Sequence, residues 1–372
     1  MLLKAIFWAS AAGLAWHHAG YPVAAAALRR VRAKPVRSAD VEPTVSLIVP
    51  AHNEEDVIDA RVRNLLELDY PFEKLELLVA SDASTDRTHE IVRGHERVRL
   101  LECERAGKLP TMNRAVRETK SEILAFGDAN ATWAPDALRK LVRNFADPDV
   151  AYVCGQVRFQ REDGTNREGV YWRYEMWLRR QESALASVTA GNGAIYAVRP
   201  EAYIEVDPVM GHDLSLPFTL VKAGWRAVEV EDARATEKMV PTVEGEWRRK
   251  RRMMSHAWAI VLRGGMLDPR GYPPLYALFI ASHRVLRYVT PFLHVAAALA
   301  TLALLRRGRP YVAAALAQAA LLGAAAAGGR VRSRPLLVAR YYVLTTASLA
   351  FGLYDHLRHG TEAGWDAAEG TR

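Results

Sequence analysis

The short apolar run Ile123 to Phe126 breaks into Gly127-Asp128-Ala129-Asn130, an acid and an amide one residue apart where a strand should end. Two oxygen-bearing side chains so spaced can serve one divalent cation, with phosphate oxygens and water filling its other positions. A strand-ending turn with an Asx hydrogen bond would use the same residues. Similar residues recur upstream. Asn53 and Glu54 follow the run Val45 to Pro50, Asp82 and Asp86 lie in Ser81 to Asp86, and Lys108 follows Gly107. Asp82 and Asp86 are suited to cap the next helix, and Asp82 also to accept the imide proton of a uracil or to bind ribose. Lys108 can reach a phosphate or remain a solvated turn lysine.

Two later stretches add to this set. Gly191-Asn192-Gly193 has glycines that permit close approach of backbone to a ligand or make a tight turn, and Asp213 opens the helix-like stretch Leu214 to Gly224, where an N-cap is the plainer role. The basic run Arg248 to Arg252 suits either a lipid-facing surface or a clamp on a departing diphosphate.

The elements that must position these residues alternate. Val45 to Pro50 is a β-branched run of the kind found in strands buried on both faces, and residues 51–68 carry Val57, Ile58, Val62, Leu65 and Leu66 at helical spacing. Lys74 to Ser84 reads as a second strand. Thr85 to His95 reads as a helix, with Ser84 and Thr85 as cap candidates. A third strand is expected at Val98 to Glu104, a helix after Gly107, and a fourth strand at Glu122 to Phe126. Strand, helix, strand, helix predicts an α/β fold with a parallel sheet, whose ligands lie at the carboxyl ends of the strands. Asn53, Glu54, Asp82, Lys108 and Asp128 all fall there. The dinucleotide-binding GxGxxG and the P-loop GxxxxGK[ST] are absent after the first strand.

The chain has 372 residues, half of them hydrophobic, and the apolar residues are concentrated at its two ends. Ala5 to Leu28 is long enough to span a bilayer, which takes about 20 residues of helix. It lacks a small-residue cleavage site, and Arg29, Arg30, Arg32, Lys34 and Arg37 follow it, so a retained anchor is expected in place of a signal peptide. Basic residues beside a span stay on the cytoplasmic side, which places the central region in the cytoplasm at a cell membrane. Val289 to Leu305, Tyr311 to Ala327 and Leu336 to Tyr354 are three further spans; basic residues in both intervening loops leave their topology open. The expected domains are an anchor (1–30), a catalytic domain (43–245), basic interfacial helices (246–288), C-terminal spans (289–356) and a polar tail (357–372).

The net charge of +8 suits anionic lipid head groups and a negatively charged substrate. Interleaved aromatics of the kind that bind single-stranded nucleic acid are missing from the basic run, so nucleic acid is not an expected partner. Cys103 and Cys154 are the only cysteines and read as reduced thiols, with no zinc or disulfide framework.

As an ordered set, VSLIVPAHNEE, SDASTD, GKLPTMN, GDAN, GNGAIYAVR, HDLSLP and WRRKRRM resemble the inverting, membrane-bound family 2 glycosyltransferases, the group that includes cellulose, chitin and hyaluronan synthases. The resemblance runs over about residues 45 to 255. It implies a GT-A nucleotide-sugar-binding domain with a Rossmann-like mixed sheet, and a donor that is a UDP-sugar. Asn53, Glu54 and Asp82 would lie near the nucleoside and Lys108 near the diphosphate. Asp128 would be the first acid of an Asp-x-Asp motif binding magnesium or manganese, and Asp213 the general base that deprotonates an acceptor hydroxyl. Gly191, Asn192 and Gly193 would face the acceptor, a glycan or a lipid-linked sugar.

The chain departs from the family pattern at several points. Asn130 stands where a second Asp is common, and His212 where Glu usually precedes the base; a histidine there could change charge near neutral pH. In the Gln-x-x-Arg-Trp motif of processive synthases, Arg249 takes the Gln position, Arg252 the Arg position and Met253 the Trp position. Arg249 and Arg252 can hold the diphosphate. Met253 offers no aromatic platform to an acceptor sugar, which favours single addition over chain extension. The expected activity is transfer to a cell-surface or exported glycan or a glycolipid. A nucleotide-sugar-binding regulator that has lost catalysis is the main alternative, and a transporter with a cytosolic domain a weaker one. Tyr171, Trp172, Tyr174 and Trp177 can line an acceptor groove or form a packed cluster.

Overall fold

A computed structural model describes residues 1–160, 170–238, 243–331 and 333–361. Its centre is an eight-stranded mixed sheet in the order β3-β2-β1-β4-β7-β6-β8-β5. The first four strands are those the sequence predicts: β1 (Val45–Ala51), β2 (Leu75–Asp82), β3 (Val98–Cys103) and β4 (Ile123–Phe126), all parallel. Every residue of β1 is buried because apolar layers cover both faces of the sheet. One layer gathers Ile58, Val62, Leu138, Leu141 and Trp133; the other gathers Leu109, Met112, Leu216 and Leu220.

The connecting helices are shorter than their apolar patterns suggest. Residues 52–57 form a loop before α3 (Ile58–Leu66), with Asn53 in the left-handed region at φ 52°. The short polar side chain of Asn makes that conformation tolerable. Ser84 and Thr85 do not cap α4 (Thr88–Arg93). The N-cap is Arg87, without a side-chain cap bond; Asp86, just before it, accepts the Thr88 amide through Oδ1 at 3.0 Å, while Ser84 and Thr85 bond to Asn53 and tie the two strand-end loops together. Helix α5 (Lys108–Arg117) returns the chain to β4.

The second half of the sheet is mixed. After β5 (Thr132–Trp133) and α6 (Ala137–Val142), β6 (Val150–Gln160) runs parallel to β8 (Arg226–Lys238), and β7 (Tyr196–Val198) bridges antiparallel between β4 and β6. Between them lie α7 (Val170–Leu185) and α8 (His212–Lys222). The basic run is helical, inside α9 (Val243–Arg263).

Among the described residues three helices are long and apolar enough to cross a membrane: Pro274–Arg307, Arg309–Ala327 and Arg334–His359. They contain the three expected C-terminal spans. The first combines α10 (Pro274–Phe279), a π-helical turn (Ile280–Val285) and α11 (Leu286–Leu304); the others are α12 (Arg309–Ala327) and α13 (Arg334–His359). The N-terminal helix, α1 (Leu2–Ala15), a π-helical turn (Trp16–Gly20) and α2 (Tyr21–Arg32), is not among the three. It packs along α11 instead. A third core, with Tyr21, Phe218, Trp258, Tyr276 and Leu349, joins α2, α8, α9, α10 and α13. Within the polar tail, residues 362–372 lie outside the described residues.

Candidate active site

The carboxyl ends of β1, β2 and β4 and the start of α5 bring the strand-end residues to one edge of the sheet. Gly127 ends β4 against a wall that leaves no room for a side chain, since a Cβ there would lie 2.5 Å from Arg61 Nη2 and 3.1 Å from the Ala194 carbonyl oxygen. A turn then closes from Asp128 to Ala131, whose amide donates to the Asp128 carbonyl at 3.2 Å, and Asn130 lies within it. The Lys108 ammonium donates to Asp128 Oδ1. Burial opposes the Lys108 charge, but Asp128, and then Asp213 and Glu237, outweigh it and raise its pKa. One cation thus faces three carboxylates contributed by β4, α8 and β8.

Asp82 is fully buried, and its carboxylate already accepts from Arg105 Nη1 at 2.6 Å and from the amides of Ala106 and Gly107 at 2.7 and 3.1 Å. It anchors the loop that turns, through Gly107 at φ 98°, into α5 and Lys108. Asn53 Oδ1 accepts the Thr85 amide at 2.8 Å, and Glu54 is buried with its amide donating to Thr88 Oγ1 at 2.9 Å. In this structure these three residues brace the strand-end loops.

Asp213 is not the N-cap of its helix. That position belongs to Gly211, so Asp213 lies in the first turn of α8. The Gly191 amide donates to the Asp213 carbonyl at 2.6 Å, tying Gly191-Asn192-Gly193 to it. Gly191 is required by close approach, since a Cβ would come within 1.9 Å of the Tyr152 hydroxyl; one at Gly193 would make only an ordinary 3.9 Å contact. Burial raises the Asp213 carboxyl above its usual value, against the lowering effect of Lys108 and Arg179. A carboxylate moved toward neutral pH is a better proton acceptor than an ordinary one.

The expectation that His212 changes charge near neutral pH is overturned. It is buried among Phe126, Tyr196 and Tyr203, with Nδ1 at 2.8 Å from the Tyr196 hydroxyl, and burial followed by the Lys108 charge lowers its pKa to about 3. It is a neutral packing residue.

Among the described residues, Arg249 brings the basic helix to the site. Arg249 lies close enough for its charge to act on Glu237, and its Nη1 is 3.3 Å from Met253 Sδ. Arg252 and Met253 are exposed. Arg251 and Lys250 turn to α13, pairing with Asp355 and the Tyr341 hydroxyl. The side chains of Glu246 and Arg248 lie outside the described residues. The aromatic group on α7 is divided: Trp172 packs on Phe159 and donates to the Val157 carbonyl, Tyr174 and Trp177 stack on each other, and Tyr171 meets Tyr341.

Two residues escaped the sequence reading. Glu237 lies next to Thr236, which pairs with Thr132 just after the Asp128 turn. Burial, and then the Asp128 charge, push its carboxyl up to about 7. It too is an acid near a strand's end, so the rule applied to β1, β2 and β4 would have found it once β8 was delimited. Arg61 is 2% exposed beneath Gly127, donates to Asn64 Oδ1 at 2.9 Å and lies 5.3 Å from the Trp133 ring centroid. Its Nε and Nη2 find no hydrogen-bond acceptor among the described residues. In sequence Arg61 is one charged residue between Ala60 and Val62, beside the equally charged Arg63, and nothing local distinguishes which of the two is buried.

Among the described residues no three His, Cys, Asp or Glu side chains form a ready metal cluster. Asp128 with the neutral Asn130 is a partial set of hard oxygen donors. Such a set fits magnesium or manganese if substrate phosphates supply further ligands, as is usual for magnesium.

Residues 46–205 match the family model described as glycosyl transferase family 2. A β-monoglucosyldiacylglycerol synthase from Nostoc sp. is 26% identical over 249 residues, covering 60% of this chain and 52% of that protein. A poly-β-1,6-N-acetyl-D-glucosamine synthase from Staphylococcus aureus is 22% identical over 243 residues, covering 62% of this chain and 58% of its own length. The chain thus spans little more than half the length of these relatives. A mannosyltransferase from Pyrobaculum calidifontis, solved with GDP-Man and Mn2+, superposes with a TM-score of 0.73 at 26% identity, over 96% of this chain and 99% of that one. The match to glycosyl transferase family 2 lies in residues 46–205, the domain has the GT-A fold, and apolar helices follow it.

Proposed function

We propose that this protein is a membrane glycosyltransferase that moves a sugar, with inversion, from a nucleotide-sugar to a hydroxyl of a glycan or lipid-linked acceptor, serving glycolipid or cell-surface glycan synthesis. The observation that carries the reading is the convergence of Lys108, Asp128 and Asp213 at the carboxyl edge of the sheet. The relatives whose names state glycolipid and polysaccharide synthesis support the same class. The three apolar helices support a membrane location. We further take the N-terminal helix, docked along α11, to lie with them and the catalytic domain to face the cytoplasm, at the basic end Arg29 to Arg37.

Asp213 Oδ takes the proton from the acceptor hydroxyl as that oxygen attacks the anomeric carbon, and the sugar–phosphate bond breaks on the opposite side. Lys108 and Arg249 neutralise the nucleoside diphosphate as its charge grows, and exposed Arg252, on the same helix as Arg249, would join them. Positive charge held there in advance is most effective where water is scarce. Asp128 and Asn130 would hold a magnesium or manganese ion, which when bound supplies Lewis-acid stabilisation of the diphosphate. Asn53, Glu54 and Asp82 set the loops on which a nucleoside would rest. Gly191 to Gly193 stand beside the base, where an acceptor must lie, and exposed Met253 suits a single addition.

The test is hydrolysis and transfer by the detergent-purified chain with UDP-glucose, UDP-N-acetylglucosamine and GDP-mannose, in manganese, magnesium or chelator. Metal-dependent turnover of one donor, lost in Asp213→Asn, is the expected result. Donor binding without turnover, unchanged by that substitution, would support the regulatory alternative instead.

A further inference from the structure

Behind the base lies a buried polar network outside the donor chemistry. Arg179, on α7, donates from Nη1 to the Gly191 carbonyl at 2.8 Å and to Asn192 Oδ1 at 3.0 Å, and from Nε to Glu175 Oε1 at 3.2 Å. Gly191 in turn holds the Asp213 carbonyl. Arg179 is therefore one residue removed from the base.

From Glu175 the network runs to the first apolar helix. The two ring nitrogens of His283 face two carboxylates, Glu182 at 2.8 Å and Glu175 at 3.2 Å. Arg284 reaches Glu175 at 3.2 Å and donates from Nε to Thr189 Oγ1 at 2.8 Å; that hydroxyl donates to Glu182 Oε2 at 2.9 Å. Arg287 adds a contact to Glu175 at 3.4 Å. The Tyr21 hydroxyl, from α2, closes the network on Glu182 at 2.5 Å.

Both contributing membrane-side helices are interrupted here. The π-helical turns Trp16–Gly20 and Ile280–Val285 meet, with Trp16 Nε1 donating to Ser282 Oγ and His17 Nδ1 at 3.0 Å from the Ser282 carbonyl. Such bulges are often found at functional sites, and here the second displays His283 and Arg284 toward the catalytic domain. Taking this many charges out of water is costly, and an apolar core of the same volume would often be no less stable. Stability is a weak reason for the network. What it does is join the apolar helices, by polar contacts, to the loop beside Asp213.

We propose that this network positions the acceptor side of the active site: Arg179 and Thr189 hold the loop Thr189 to Asn192, and through it Asp213, in the place set by the docked apolar helices. The proposal rests on the reading of Asp213 as the base, and Arg179 acts through that residue as a positioning residue. Misplacing a reacting group by about 1 Å can cost on the order of a hundredfold in rate.

The experiment compares Arg179→Gln, Arg179→Lys, Thr189→Val and Asp213→Asn in the purified full chain. It uses backbone hydrogen exchange together with hydrolysis of whichever of UDP-glucose, UDP-N-acetylglucosamine and GDP-mannose the wild type turns over fastest. Expected for Arg179→Gln is faster exchange confined to residues 189–193 and 211–214, a roughly tenfold lower kcat and a donor KM within about twofold of wild type. Arg179→Lys should recover part of kcat, and the nearly isosteric Thr189→Val should show the same pattern in milder form. Unchanged exchange in both Arg179→Gln and Thr189→Val overturns the proposal, as does a kcat loss matched by an equal rise in donor KM and exchange spread over the whole domain. If Arg179→Gln does not fold, Thr189→Val decides. An active Asp213→Asn would refute the base assignment while leaving the exchange result to judge the network; an inactive one beside normal Arg179 and Thr189 variants would do the reverse.

Discussion

The Lys108 ammonium at the start of α5 is hydrogen-bonded to the Asp128 carboxylate at the end of β4. That pair joins the residue proposed to meet the diphosphate to the residue proposed to meet the metal. Removing the lysine leaves Asp128, Asp213 and Glu237 without the cation that acts on all three. Lys108→Ala is expected to lower kcat by about 10²-fold, the usual scale for loss of one preorganised charge donor. Steady-state kinetics with saturating donor check this, and Lys108→Arg should be less impaired.

Asp213→Asn should lower turnover by on the order of 10²–10⁴-fold if Asp213 takes the acceptor proton. The working form is the carboxylate, and its pKa is raised by burial over the counteracting charges of Lys108 and Arg179, with Asp128 adding to the rise. Activity is therefore lost, as the solution is acidified, at a higher pH than an ordinary aspartate would give. A pH–rate profile of kcat should show this acidic limb in the wild type.

Asn130→Asp adds a negative charge to the turn that carries Asp128. Binding of Mn2+, followed by electron paramagnetic resonance, should tighten because an anionic oxygen attracts the cation more strongly than an amide. The same substitution should lower the melting temperature in chelator, where like charges repel without a cation between them. Unchanged Mn2+ affinity would count against Asp128 and Asn130 as the metal site.

Gly191→Ala forces a methyl group to within 1.9 Å of the Tyr152 hydroxyl. Overpacking of this kind costs about 1–3 kcal/mol, and the displaced loop carries the contact to Asp213. Thermal unfolding should show the loss, and Tyr152→Phe in the same chain should return part of it.

His212 yields a second loss on acidification, in stability where that of the base is in activity. Its pKa falls from 6.5 to about 3 on folding, so between those values the unfolded chain binds the extra proton. Its contribution to stability is complete above about pH 6.5 and declines as the pH falls toward 3. Melting curves from pH 7 to pH 4 should fall less steeply for His212→Gln than for the wild type.

The sequence by itself determined the first four strands, their parallel order of connection and the strand-end positions of Asn53, Asp82, Lys108 and Asp128, because buried parallel strands need continuous apolar runs and such runs are local. It also determined three C-terminal helices long enough to span a bilayer, since length and hydropathy are local too. Tertiary structure decided what those residues touch. Asp82 was legible as a strand-end acid, but its three partners come from 23 to 25 positions away. Asp86, and not Ser84 or Thr85, meets the first amide of α4, because those two are engaged by Asn53 across the neighbouring loop. His212 reads as a pH switch until Phe126, Tyr196 and Tyr203 close around it. Glu237 and Arg61 join the site, and His283 meets Glu175, only when strands and helices far apart in the chain pack together, for burial and electrostatic neighbours are properties of the assembled fold.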